Sequence, residues 1–259
     1  QYSLDVCAEM VPHKKVTHDF VRLSYHESMD RYGIDRPDIR FGMEIEDCGE
    51  IFIWSEFGVF ANTLKDGGKV RAIKLEGQSM TRKELDELTE VAKSSGAGGL
   101  AYLIYEEGDI RSPIKKFLSE KELTAVTEKM DAKDGDIVFF GAGDYALVCK
   151  VLDKVRIFLR DKYSLADDNE LAFAFVLDFP FYEENDEGKV DFGHNPFSVV
   201  VWGKEALQTQ EALEVMTYQY DVILNWYELG SGSIRNHDPE VMVAAFEKIG
   251  LSEDDIKEK

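Results

Sequence analysis

Apolar and polar positions along the chain change rhythm twice. Val21 to Tyr32 mixes apolar and charged residues at roughly helical spacing, and Gly33 and Pro37 end that run, so a helix is predicted there. A different pattern follows. Val70 to Leu75 alternates and predicts a strand. Thr81-Arg82-Lys83-Glu84 is a capping box opening a helix that runs to Gly96. Leu100 to Tyr105 predicts a second strand, and Ser119-Glu120-Lys121-Glu122 a second capping box with a helix to about Asp131. Ile137 to Phe140 is an apolar strand, and Tyr145 to Tyr163 a long helix with Leu147, Val151, Val155 and Leu159 along it. Interleaved strands and helices of this kind predict an α+β or α/β module with its own core, over about residues 42–168. Beyond 168 strands return, at Leu171 to Phe179, Phe197 to Trp202 and Tyr220 to Arg235. A helix is predicted over Glu205 to Tyr218, and another from Asp238-Pro239-Glu240, with proline in its first turn.

The segment Tyr227-Glu228-Leu229-Gly230-Ser231-Gly232-Ser233-Ile234-Arg235-Asn236-His237-Asp238 carries the candidate chemistry. An acid, a glycine-rich turn and an arginine together suit a nucleotide site. Glu228 is a candidate for holding a metal–phosphate cluster, and Arg235 for clamping a carboxylate or phosphate with its planar fork. On an ideal strand Tyr220, Val222, Leu224, Trp226 and Glu228 share a face, while Arg235, an odd number of residues away, points to the other. A bulge would restore the phase, and Gly230 and Gly232 are where one forms at low cost. The alternative is an ordinary hairpin with a surface ion pair, which is worth little.

Composition narrows the classes. The 259 residues are 44% hydrophobic, enough for one large or two ordinary cores. With 51 acidic against 30 basic side chains the formal charge is −21, which opposes strong gripping of nucleic acid by this chain and suits a cytoplasmic protein. Cys7, Cys48 and Cys149 are scattered, and neither they nor the five histidines show zinc or disulfide spacing. No apolar run approaches a membrane span. Gly141-Ala142-Gly143 reads as a tight strand-to-helix turn rather than a dinucleotide loop.

Several stretches resemble bacterial-type aspartyl-tRNA synthetases, in family order. Tyr227 to Glu240 looks like the glycine-rich YE…R segment near motif 3. Arg31-Tyr32-Gly33-Ile34-Asp35-Arg36-Pro37-Asp38-Ile39-Arg40-Phe41 resembles RYG-x-DKPDLRF. Gly96 to Tyr102 resembles GAKGLAY. Lys116-Phe117-Leu118, Asp136 to Ala142, Asp178-Phe179-Pro180 and His194-Asn195-Pro196-Phe197 resemble the family's KFL, D-x-IFFGAD, DFP and HHPF. The resemblance implies an α+β chain: a partial class II antiparallel-sheet core over 1–41 and 169–259, ending before motif 3, with an inserted GAD-type α/β module over 42–168.

It also implies an aspartate–tRNA ligase that activates L-aspartate with ATP and Mg²⁺ and transfers it to tRNA, with no zinc, in the cytoplasm, and as a homodimer. Glu228 then falls on the glutamate that reaches ATP and its Mg²⁺, Arg235 on the arginine that binds the aspartate side chain, and His194 on the first histidine of HHPF. Gly232, Ser233, Asn195 and Trp226 are secondary candidates. His237 is expected to cap the turn before Asp238. Asn195 replaces a histidine, Ser231 a glycine, Asn236 an aliphatic residue and Trp226 a glycine. By alternation, Trp226 is expected to crowd the space beside Glu228 and leave Glu228 and Arg235 to pair with each other or with water. Residues 1–10 are expected to be a remnant of the strand following motif 2. Motifs 1, 2 and 3 and the anticodon-binding domain find no match, so the chain alone is expected to be inactive and to bind tRNA weakly. The rival reading is a degenerate, non-catalytic paralogue or regulatory module.

Overall fold

A computed structural model describes residues 2–16, 20–185 and 187–251. The chain forms two compact units. One comprises residues up to Lys15 with Ser28–Glu170, the other Val16–Glu27 with residues from Leu171 onward.

The first unit is a three-layer α/β module. Its five-stranded sheet runs Glu46–Asp47, Lys69–Leu75, Ile137–Gly143, Ala101–Glu106, Asp109–Arg111, every neighbouring pair antiparallel. Alternation in its central strands feeds two cores rather than one core and solvent. Ile73, Leu75, Ile137 and Phe139 pack with Leu85 and Leu88 of the Arg82–Ser94 helix and with Val148, Val151, Leu152 and Val155 of the Tyr145–Tyr163 helix. Val70, Ala72, Val138 and Phe140 face the other way, onto Phe52, Phe60, Leu123 and Val126. The short outer strands, and the helices Gly49–Phe52 and Gly58–Lys65, escape sequence patterning because each is too short to show a period.

Both predicted capping boxes form. The Thr81 hydroxyl accepts from the Glu84 N–H while Glu84 accepts from the Thr81 N–H, and Ser119 and Glu122 repeat the arrangement. The backbone N–H of Thr81, then its hydroxyl, then Lys162 hold the Glu84 carboxyl down to about 2. A depressed carboxyl stabilises the fold above its ordinary value, and that contribution is lost as pH falls toward 2. A carbon-13 titration should place the Glu84 midpoint well below the ordinary glutamate range, and Thr81→Ala should return it toward that range.

The segment 31–44, which carries one of the family-like motifs, is held by a partly buried polar network. Arg31 makes a bidentate pair with Glu44, at 2.8 and 2.6 Å. Arg156 is fully buried between Phe41 and Tyr32, its guanidinium 4.6 and 5.1 Å from their rings, and donates to the carbonyls of Met43 and Gly42. Burial lowers its pKa to about 10 and raises that of neighbouring Asp153. Burial also works to raise Asp38, but hydrogen bonds from Arg40 and Arg160 prevail and hold it below its ordinary value.

In the second unit the sheet order is Tyr227–Ser233, Met216–Leu224, Phe173–Pro180, Val21–Ser24, antiparallel except that the last strand runs parallel to its neighbour. A small hairpin pairs Tyr182–Glu184 with Val190–Phe192, and Phe181, Tyr182, Val200, Leu207, Val215 and Ala245 form a core with the helices Gly203–Thr209 and Pro239–Lys248.

Five expectations need correction. Gly141-Ala142-Gly143 is not a turn but the end of the Ile137–Gly143 strand, paired with Lys69–Arg71. Tyr2–Met10 is a helix, not a strand remnant. Val21–Ser24 is a strand, and the helix begins only at Tyr25, where Ser24 and Glu27 exchange side-chain-to-backbone bonds in a capping box the periodicity concealed. Phe197 to Trp202 makes only isolated bridges, at Ser198–Arg235 and Val200–Thr217. The helix expected over 205–218 is Gly203–Thr209. Gln210 turns extended, a 3₁₀ turn follows, and the alternating Met216-Thr217-Tyr218-Gln219-Tyr220 goes to the sheet.

Candidate functional site

The Met216–Leu224 and Tyr227–Ser233 strands form a hairpin whose turn is Asn225-Trp226. Asn225 sits at φ +60°, a region asparagine tolerates, and is fixed on both sides by Ala172: its N–H donates to the Ala172 carbonyl at 2.9 Å, and its side-chain oxygen accepts from the Ala172 N–H at 3.0 Å. Val222 pairs with Gly230 but Ile223 pairs with Glu228, so Leu229 is the extra residue of a bulge beside Gly230. The bulge puts Glu228 in line with Ile223, Ala174 and Val21, and Ser231 in line with Asp221, Val176 and Leu23, all on one face. Continued alternation carries Ser233 and Arg235 to that face too. The phase between Glu228 and Arg235 is thus restored, with roughly 20 Å of strand between them.

Arg235 does not pair with Glu228. Its Nη1 donates to Asn195 Oδ1 at 2.8 Å, and its backbone bridges to Ser198. Asn195 is itself rigid, because the same Oδ1 accepts from the Phe197 N–H at 3.0 Å in an Asx turn. Arg235 is exposed and no described carboxylate pairs with it, although the chain is strongly acidic. Such a guanidinium, held by a neutral amide, keeps its charge and most of its fork for an anion. The Ser198 and Ser233 hydroxyls, both on the segments that meet at Arg235, are buried without a hydrogen-bond partner among the described residues.

His194 precedes Asn195 directly. Its ring stands edge-on to Phe179 at 4.9 Å and to Tyr25 at 6.4 Å, and its Nε2 lies 3.3 Å from Glu183 Oε1. Hydrogen bonding to His194, against a smaller opposing effect of burial, keeps the Glu183 carboxyl below its ordinary value. The structure therefore brings His194, Asn195, Ser233 and Arg235 to adjoining positions, with Glu228 farther along the same sheet face.

Trp226 departs from expectation. The chain reverses at Asn225-Trp226, so strand alternation does not extend through it to Glu228. The indole is half-buried and its ring lies 4.9 Å from that of Tyr227. Trp226→Gly creates an Asn-Gly turn, a favoured hairpin pair, and forfeits the ring contact. Its effect on stability should stay within about 1 kcal/mol in urea denaturation. Gly232 is on the opposite face from Glu228 and serves packing, since a Cβ there would meet the Tyr220 hydroxyl at 2.6 Å. His237 is not the cap: Asp238 Oδ1 accepts from the Glu240 N–H, and Asn236 Oδ1 from the Asp238 N–H. Sequence reasoning did not single out Glu183, Tyr25 or Ser198. Only their nearness in space to His194 and Arg235 marks them.

Comparison with known proteins finds one domain family and a set of similar sequences. Residues 60–152 match the GAD domain family. Over 254 residues, 97% of the chain, the sequence is 41% identical to the aspartate–tRNA(Asp/Asn) ligase of Prosthecochloris aestuarii, of which it covers 42%. It is 42% identical over 94% of its length to the like-named ligase of Pelodictyon phaeoclathratiforme, of which it covers 41%, and 42% identical over 92% of its length to that of Chlorobium phaeovibrioides, of which it covers 40%. The chain thus spans about two-fifths of the length of these curated relatives.

Proposed function

We propose that a protein of the relatives' length containing this chain is an aspartate–tRNA ligase, because nearly the whole chain is 41–42% identical to a segment of proteins so named and residues 60–152 match the GAD domain family. In this reading residues 42–168 are the inserted module, and residues 1–41 and 169–259 are parts of a class II catalytic core. The observation that carries the assignment is the exposed Arg235, which has no carboxylate partner among the described residues and is steadied by Asn195 next to His194.

Arg235 binds the side-chain carboxylate of L-aspartate, which a guanidinium grips in two parallel hydrogen bonds. His194 lies against the amino acid. Glu228, farther along the same face, reaches the phosphates of ATP through Mg²⁺, which arrives as part of the nucleotide substrate and needs only one or two protein carboxylates. Separation of Glu228 from Arg235 along the sheet suits an elongated ligand, an amino acid joined end to end with a nucleotide. Catalysis in such a site is positioning and charge stabilisation. The second substrate is tRNA, and the charge of −21 assigns its grip mainly to other parts of the protein. A soluble cytoplasmic homodimer completes the proposal. No helix among the described residues is long and apolar enough to cross a membrane.

The test is attachment of radioactive aspartate to tRNA by the relatives-length protein. The proposal expects ATP-dependent, acid-precipitable label. Absence of label with aspartate, or charging with a different amino acid alone, overturns it.

A further inference from the structure

We propose that Glu183 is a positioning residue for His194, its carboxylate fixing which nitrogen of the imidazole bears the proton and which way the ring faces the amino-acid site. The inference rests on the assignment of His194 to that site.

Several features show that the pair is built in. Glu183 lies in the Tyr182–Glu184 strand of the small hairpin, directly opposite Asp191. Asp191 turns to the backbone, its Oδ1 accepting from the Phe192 N–H, while the Glu183 carboxylate reaches the ring. Gly193, immediately before His194, makes room for it. A Cβ at 193 would lie 2.8 Å from both Cγ and Cδ of Glu183, so a larger residue would displace the carboxylate. The Gly193 N–H in turn donates to the Phe181 carbonyl at 3.1 Å, tying the approach to the hairpin. Phe179 and Tyr25 stand against the imidazole edge-on, which restricts ring rotation. With Nε2 3.3 Å from Oε1, the carboxylate selects the Nε2–H form, because the other tautomer would set a lone pair against a negative oxygen. A site that binds an amino acid gains from a ring whose tautomer is decided before the ligand arrives.

Long-range proton–nitrogen NMR of the 259-residue chain reads the tautomer directly, with the His194 resonances identified by their loss in His194→Gln. The neutral ring in the parent should carry its proton on Nε2. Glu183→Ala and the length-matched Glu183→Met should populate both tautomers, and Glu183→Gln, which retains an acceptor oxygen, should keep the parent form. In the relatives-length protein, Glu183→Ala should raise the KM for aspartate about tenfold, leave the KM for ATP unchanged, and be largely rescued by Glu183→Gln. An unchanged tautomer in Ala and Met variants that remain folded, or an unchanged aspartate KM, overturns the proposal. If the unmodified protein showed no aspartate-dependent activity, the ligase reading would fail while the tautomer result stood on its own.

Discussion

Arg235→Lys in a protein of the relatives' length should lower kcat/KM for aspartate in pyrophosphate exchange by about 10²–10³, the usual cost of one charge-stabilising donor. Lysine keeps the charge and loses the planar fork, so the two parallel bonds to a carboxylate cannot form, nor can the Asn195 bond hold a second donor in plane with the first. The substitution is exposed and should leave thermal stability nearly unchanged. A loss below about threefold, on a scale where tenfold is 1.4 kcal/mol, would show that the fork does not grip the substrate.

The second large effect concerns folding. Arg156→Ala should destabilise the first unit by about 3–5 kcal/mol, as expected when one member of a buried polar network is removed. The Gly42 and Met43 carbonyls would lose a buried donor, and Phe41 and Tyr32 the cation packed between them. Asp153, already raised by burial, would lose a neighbouring positive charge. Arg156→Met should cost less, since it keeps much of the volume without burying a charge. Hydrogen exchange in the Tyr145–Tyr163 helix reads this unit on its own. Protection there should fall by at least about a hundredfold in the alanine variant. Unchanged protection would contradict the structural role given to Arg156.

How far these residues were legible in the sequence follows from the range of the forces involved. Thr81 and Ser119 announce helix starts because a cap is a local bond, complete within three residues. The need for a bulge between Glu228 and Arg235 was likewise visible, since counting along one strand is enough; Leu229 as the extra residue depends on the register with Ile223. Alternation misplaces Trp226 because a two-residue turn at Asn225 resets it, and the turn is anchored by Ala172, 53 residues away. Val21–Ser24 has the local pattern of a helix because its strand identity comes from pairing with Phe173–Pro180, a partner no local window contains. The bond between Asn195 and Arg235 spans 40 residues. Both residues were candidates by resemblance, but their mutual support, and the nearness of Glu183 to His194, emerge only when the hairpin and the sheet are assembled.

In the proposed function a guanidinium held at Arg235 by Asn195 receives the aspartate carboxylate. Pyrophosphate exchange by the relatives-length protein, with aspartate and asparagine compared at equal concentration, tests it most directly. The two amino acids are nearly isosteric and differ in the charge that the guanidinium should read. The account predicts exchange with aspartate and almost none with asparagine. Equal exchange with both, or exchange with asparagine alone, would contradict it.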